Sequence, residues 1–172
     1  MNNTWQNSFK AIYDKALTQY RKGNQRPESY FTDAEVVWLA SIGCKPGELY
    51  DIVEDHRDID WETALLITSV RRDHFLSVDG CIMHAPMTVK EFPAKGAKAD
   101  GIPWLPRLIM KARAKLRGRL PKELMYCCGG DRAFLRKYKI HPADFLRVVW
   151  HACSDDRKIV EFVKSSSQKV TF

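Results

Sequence analysis

Leu105, Leu108, Ile109, Ala112 and Leu116 recur at the spacing of one helix face, and this apolar stripe constrains the chain more than any other feature. Gly118 follows the last periodic residue and suits a left-handed C-terminal cap. Pro103 suits the first helical position, where a missing N–H removes nothing the helix would use. The spacing therefore predicts an amphipathic helix over residues 104–118. Arg107, Lys111, Lys115 and Arg119 stand four apart along it, with Arg113 and Arg117 beside them. Like charges at that spacing repel by a few tenths of a kcal/mol per pair. Something must offset the repulsion: carboxylates of the same chain, a nucleic acid or another anion.

The remaining segments also read as helices. Trp5, Phe9, Ile12, Tyr13, Ala16, Leu17 and Tyr20 predict a helix from Thr4 to Arg21, ended by Gly23. Thr32 and Glu35 form a capping box ahead of Val36, Val37, Leu39 and Ala40, and Gly43 stops that helix. Pro46 opens a third helix, with Leu49, Ile52, Val53 and His56 on its inner stripe. Asp60 caps a fourth, in which the run Leu65-Leu66-Ile67 predicts burial on most sides. Arg71-Arg72 reads as a surface pair at that helix's end. Asp79-Gly80, between two apolar runs, predicts a type I′ hairpin over 76–84. Lys90 to Gly101 reads as a loop.

After the basic helix, Pro121 predicts a short helical turn carrying Leu124 and Met125. A short helix follows over Asp131 to Tyr138, and Pro142 opens the next, with Phe145, Leu146, Val148, Val149 and Trp150. Ser154 is expected to cap the last helix, and Ser165 onward to fray. The expected class is all-α, a compact multi-helix bundle. Its expected parts are an acidic helical half (1–86), a linker (87–102), a basic helical half (103–165) and a tail (166–172).

A shift of 96 residues aligns Leu39 with Leu135, Pro46 with Pro142, Glu48 with Asp144, Ile52-Val53 with Val148-Val149 and Ile67 with Val163. The expectation is two related three-helix units, 33–67 and 129–163, around the basic helix.

Charge divides the chain unevenly. Residues 1–86 hold 9 Lys/Arg and 13 Asp/Glu, residues 87–172 hold 19 and 8, and the net charge is +7. Such asymmetry implies either an internal match or a basic binding surface. The N-terminal stretch has no apolar core of a secretory signal, and no run approaches the ~18 apolar residues of a membrane span. Five cysteines without framework spacing fit reduced thiols and a cytoplasmic location. The residues leave the oligomeric state open.

Trp104-Leu105, Arg107-Leu108-Ile109, Lys111-Ala112-Arg113-Ala114 and Gly118 form a recognisable signature. It continues through Tyr126, Cys128, Asp131-Arg132, Phe134-Leu135, Asp144-Phe145-Leu146 and Ser154-Asp155. This pattern resembles an uncharacterised bacterial family, domain of unknown function 5069, over about residues 100–163. The resemblance implies no activity. Met110, Cys127 and Gly129-Gly130 stand where the family's pattern has an acid, an Asn and a Pro-Leu pair.

Three groups of residues could carry chemistry. Arg107, Lys111, Arg113 and Lys115 are the candidate anion-binding residues, with nucleic acid or an acidic protein as partner. Trp104, Tyr126 and Asp131 are candidates for an adjoining pocket, the aromatics as stacking platforms. Cys128, beside a helix start and Arg132, is a candidate nucleophile, with His141 or His151 as base. The leading expectation is a non-catalytic binding domain. The rivals are a thiol-dependent enzyme or redox protein centred on Cys128, and a structural protein whose charges neutralise one another. The acidic segment from Asp51 to Glu62 reads as a solvated face rather than a metal site, or as the basic helix's partner. No phosphate loop, dinucleotide fingerprint, zinc quartet or Ser-His-Asp set is present, so no cofactor is expected.

Overall fold

The computed structural model describes residues 4–168. The chain divides into two compact units, 1–83 and 84–172. Among the described residues there are eight α-helices and one two-stranded hairpin, so the class is mostly α.

The first unit holds α1 (Trp5–Arg21), α2 (Asp33–Ser41), α3 (Pro46–Glu54) and α4 (Trp61–Ser77). Phe9, Ile12, Tyr13 and Ala16 form the inner face of α1, which packs against α3 through Leu49, Ile52 and Val53. Gly23, in the left-handed region at φ 78°, closes α1 as predicted. The Thr32–Glu35 capping box is made in full, and Asp60 accepts the Thr63 N–H at 2.8 Å.

The fourth helix departs from expectation. Leu66 is exposed, and the inner face is Ala64, Ile67, Thr68, Val70, Arg71, His74 and Phe75. Arg71 is no surface residue: it is 1% exposed. Its Nε donates to the Gly43 carbonyl at 3.1 Å and its Nη1 to Asp79 at 2.8 Å, while its plane lies 5.0 Å from the Phe75 ring. The predicted hairpin at Asp79-Gly80 does not form, because α4 runs on to Ser77 and Asp79 turns back to the guanidinium.

The second unit holds β1 (Lys98–Ala99), β2 (Ile102–Pro103), α5 (Leu105–Leu116), α6 (Gly129–Lys137), α7 (Pro142–Ala152) and α8 (Asp156–Gln168). The hairpin turns at a second Asp-Gly pair, Asp100 (φ 48°) and Gly101 (φ 79°), inside the stretch read as loop. Two successive left-handed residues are what a type I′ turn requires. Pro103 therefore lies in β2, and Pro106 takes the opening turn of α5. Gly118 caps α5 as expected: its N–H reaches Lys115 and that of Arg119 reaches Ala114, satisfying two terminal carbonyls. No helix forms at Pro121, where only turns are found.

Leu105, Leu108, Ile109 and Ala112 bury α5 against Phe145, Leu146 and Val149 of α7, which in turn packs on α8. The last helix begins at Asp156 rather than at a Ser154 cap, and it continues to Gln168 through the stretch expected to fray. The remainder of the expected tail, 169–172, lies outside the described residues, as do residues 1–3.

Candidate functional site

Asp131 is the third residue of α6 and is fully buried. An acid in the first turn faces free backbone N–H groups and the positive end of the helix dipole. Its Oδ2 accepts from the Cys127 N–H at 3.0 Å and from Lys111 Nζ, with which it forms an ion pair. Its Oδ1 accepts from the Trp104 indole N–H at 3.0 Å. Two charges leave water here, and the pair holds because each has several hydrogen-bonding partners.

Trp104 and Cys127 both adopt left-handed backbone conformations, at φ 71° and 69°. Each such non-glycine residue costs on the order of 1–3 kcal/mol unless the surroundings hold it. Both are held by the same carboxylate, Trp104 through its side chain and Cys127 through its N–H. The Trp104 N–H also donates to Ala97, and the Cys127 carbonyl accepts from Arg132 at 2.8 Å. The Trp104 ring lies so close over Gly130 that an added Cβ would meet it at 2.5 Å. That contact gives a physical reason for glycine at this position.

Lys111 reaches further than its carboxylate. Its Nζ lies 3.2 Å from the Cys128 Sγ. Cys128 is the N-cap of α6, half-buried and followed by the exposed pair Gly129-Gly130. Its neighbour Cys127 is buried, and burial pushes that thiol up to about 12. The structure thus brings together Lys111, Asp131, Trp104 and Cys128. Tyr126 is buried beside them, with its hydroxyl donating to the Pro142 carbonyl at 2.8 Å. Burial raises its pKa well above the ordinary value, with Cys127 and Asp131 adding to the effect. It anchors α7 rather than offering a surface ring.

The basic stripe does not form one surface. Lys111 and Lys115 are only 2% and 5% exposed. Arg107 donates to the Pro93 carbonyl at 2.7 Å. Arg113 binds the Cys153 carbonyl and Asp156, at 2.8 and 2.6 Å. The repulsion expected along α5 is therefore offset from within the second unit. His141 and His151 have other roles, the first accepting the Ala143 N–H as N-cap of α7 and the second bonded to Arg147. Among the described residues, no group of three His, Cys, Asp or Glu is placed to hold a metal ion.

Sequence reasoning missed a hollow at the C-terminal end of α5. It measures about 220 Å3 and is lined by His84, Ala85, Arg117 and Arg119. The Arg119 Nε donates to Ala85 at 3.1 Å, and its carbonyl accepts the Met87 N–H, so the segment before the hairpin folds back along the helix end. The spacing of Arg117 and Arg119 around Gly118 was the available signal.

No helix among the described residues is long and apolar enough to cross a membrane. No curated protein and no solved structure matches the chain. Residues 94–171 match the model of a domain of unknown function, DUF5069, so it is the second unit, with its Lys111–Asp131 centre, that is similar to this family.

Proposed function

We propose that the second unit is a non-catalytic binding module for an anionic partner, engaged at the C-terminal end of α5 rather than along its length. The observation supporting this is the hollow at that helix end, which His84, Ala85, Arg117 and Arg119 line among the described residues. Arg117 is exposed, and the unit around it carries 19 Lys/Arg against 8 Asp/Glu. A field of that sign steers anions toward the surface, and a pair of guanidinium forks suits phosphate or carboxylate oxygens.

Nucleic acid and an acidic protein surface both supply such groups. The test is a titration of the purified chain with single-stranded and duplex nucleic acid and with an acidic polypeptide, across a salt series. Each phosphate contact adds about −0.9 to the log–log salt slope on duplex DNA. Arg117→Glu, at the exposed member of the pair, should weaken salt-steep binding with the circular dichroism unchanged, and adding Arg119→Glu should abolish it. Binding unaffected by the double change, or absent from the native chain, would overturn the proposal. Lys111 and Lys115 are poor probes, since charge reversal there strikes the interior.

A further inference from the structure

We propose that Cys128 and Lys111 form an oxidation-responsive pair, in which peroxide converts the thiol to a sulfenic acid and the lysine nitrogen then captures the sulfur. The product is a covalent S–N link between α5 and the start of α6. The inference is independent of anion binding.

The geometry supports each requirement. The two atoms lie 3.2 Å apart, though the residues are 17 apart in sequence and belong to different elements. Lys111 is already ordered: Asp131 holds its Nζ, and the same carboxylate fixes the backbone N–H of Cys127, next to the thiol. The capture step therefore needs no search by a flexible chain. Cys128 is half-buried beside exposed Gly129 and Gly130, which gives a small oxidant a way in. Peroxide attacks a cysteine in its thiolate form. Cys127 and Cys44 are buried, whereas Cys81 and Cys153 are exposed and serve as internal comparisons.

The steps balance. The Cys128 thiolate takes one oxygen from hydrogen peroxide, giving a sulfenate and water; sulfur is oxidised by two electrons and the peroxide reduced. One proton passes from the Lys111 ammonium to the sulfenate, giving a sulfenic acid and a free amine; the amine lone pair then bonds to sulfur as the S–O bond breaks. Two of the three ammonium protons leave with that oxygen as a second water, and the third remains on the bridging nitrogen. Attack of nitrogen on a sulfenic acid is established chemistry for backbone amides, and here a side-chain amine stands in their place. The link removes the positive charge of Lys111 and leaves Asp131 with its two neutral donors.

The test uses the native chain treated with a small excess of hydrogen peroxide, digested without reductant and analysed by mass spectrometry. The expected result is a cross-linked peptide pair joining Lys111 to Cys128, lighter than the sum of its parts by two hydrogens, or ~2 Da. It should be released by a thiol reductant and absent from Cys128→Ser. Cys81 and Cys153 should give sulfenic or higher oxides without a lysine link. Peroxide treatment that takes Cys128 to a sulfinic acid, joins it to Cys127 as a disulfide, or leaves it unmodified while Cys81 and Cys153 react, would overturn the proposal. The native chain carries the readout, so the outcome does not depend on a Lys111 variant folding.

Discussion

Each unit ties its first helix to the first turn of its second by a lysine and an acid, and the two ties could hardly sit in more different surroundings. In the first unit Lys15 meets Glu35 at 2.6 Å; in the second Lys111 meets Asp131. In both, 20 residues separate the partners and the acid is the third residue of its helix. Lys15 and Glu35 keep 39% and 23% of their side chains in solvent, whereas Lys111 and Asp131 keep 2% and none. A tie that is solvated contributes little and can be lost cheaply. A buried one is hard to remove by halves, because the survivor is left charged in a dry interior. In the second unit Trp104 contacts the acid and Cys128 the lysine, where a shift of 96 residues places Ser8 and Thr32 in the first.

The largest effect should come from Lys111→Met. It leaves Asp131 buried and unpaired, and the second unit should lose roughly 3–5 kcal/mol in urea unfolding. Adding Asp131→Leu should recover much of that loss, as buried pairs replaced whole by apolar residues usually do. A loss under about 1 kcal/mol for Lys111→Met would show that solvent reaches the pair, and the contrast between units would collapse.

Next in size is Gly130→Ala. Its new methyl meets the Trp104 ring, and overpacking of this kind costs about 1–3 kcal/mol. The first unit already has alanine at the corresponding place, Ala34, so Ala34→Gly there should cost only the ~1 kcal/mol of helix propensity. Melting both variants by calorimetry checks the pair; a gain in stability for Gly130→Ala would mean that Trp104 yields freely, since glycine to alanine in a helix is otherwise favourable.

Lys15→Met should cost only roughly 0.2–1 kcal/mol, and increasing salt should erase the difference from the native chain. A salt-independent loss of several kcal/mol would place the first tie in the same class as the second.

The smallest effect concerns acid. Burial opposes ionisation of Glu35, but hydrogen bonds from Lys15 and from the Thr32 N–H and hydroxyl outweigh it, and the carboxyl is held below its usual pKa. A lowered folded-state value contributes stability that is present above the unfolded value and lost as pH falls through the folded one. Glu35→Gln should therefore flatten the decline of urea midpoint below about pH 5 and cost a little at neutral pH. A decline as steep in the variant would assign the acid sensitivity elsewhere.

Much of the helical framework was legible because its signals are local. Thr32 with Glu35, Asp60, Pro46, Pro142, Gly23 and Gly118 mark helix ends through bonds made within a few residues. Two pairs of helix starts stand 96 residues apart, α2 and α6 at Asp33 and Gly129, α3 and α7 at Pro46 and Pro142, whereas α4 and α8 start 95 apart, at Trp61 and Asp156. The inner faces Phe9, Ile12, Tyr13, Ala16 and Leu105, Leu108, Ile109, Ala112 keep the same spacing, and α1 packs on α3 as α5 does on α7.

The errors arose where two local signals compete or where a partner is distant. Asp79-Gly80 and Asp100-Gly101 offer the same turn chemistry, yet only the second has strands to join. At the first, Asp79 is claimed by Arg71 of α4. The site was half legible. Residue types singled out Trp104, Asp131, Lys111 and Cys128, but nothing in the spacing tells that Lys111 points inward to an acid 20 residues on. A cationic stripe reads the same whether its partners are water or a buried carboxylate.

The indole N–H of Trp104 is also a natural antenna. The chain has five tryptophans, and this one donates its proton to a buried carboxylate. Its NMR resonance should stand apart from the other four and exchange slowly with deuterium, since releasing it requires the α5–α6 centre to open. Followed over hours, that one signal would time the opening of the second unit in the unmodified molecule, with neither label nor substitution.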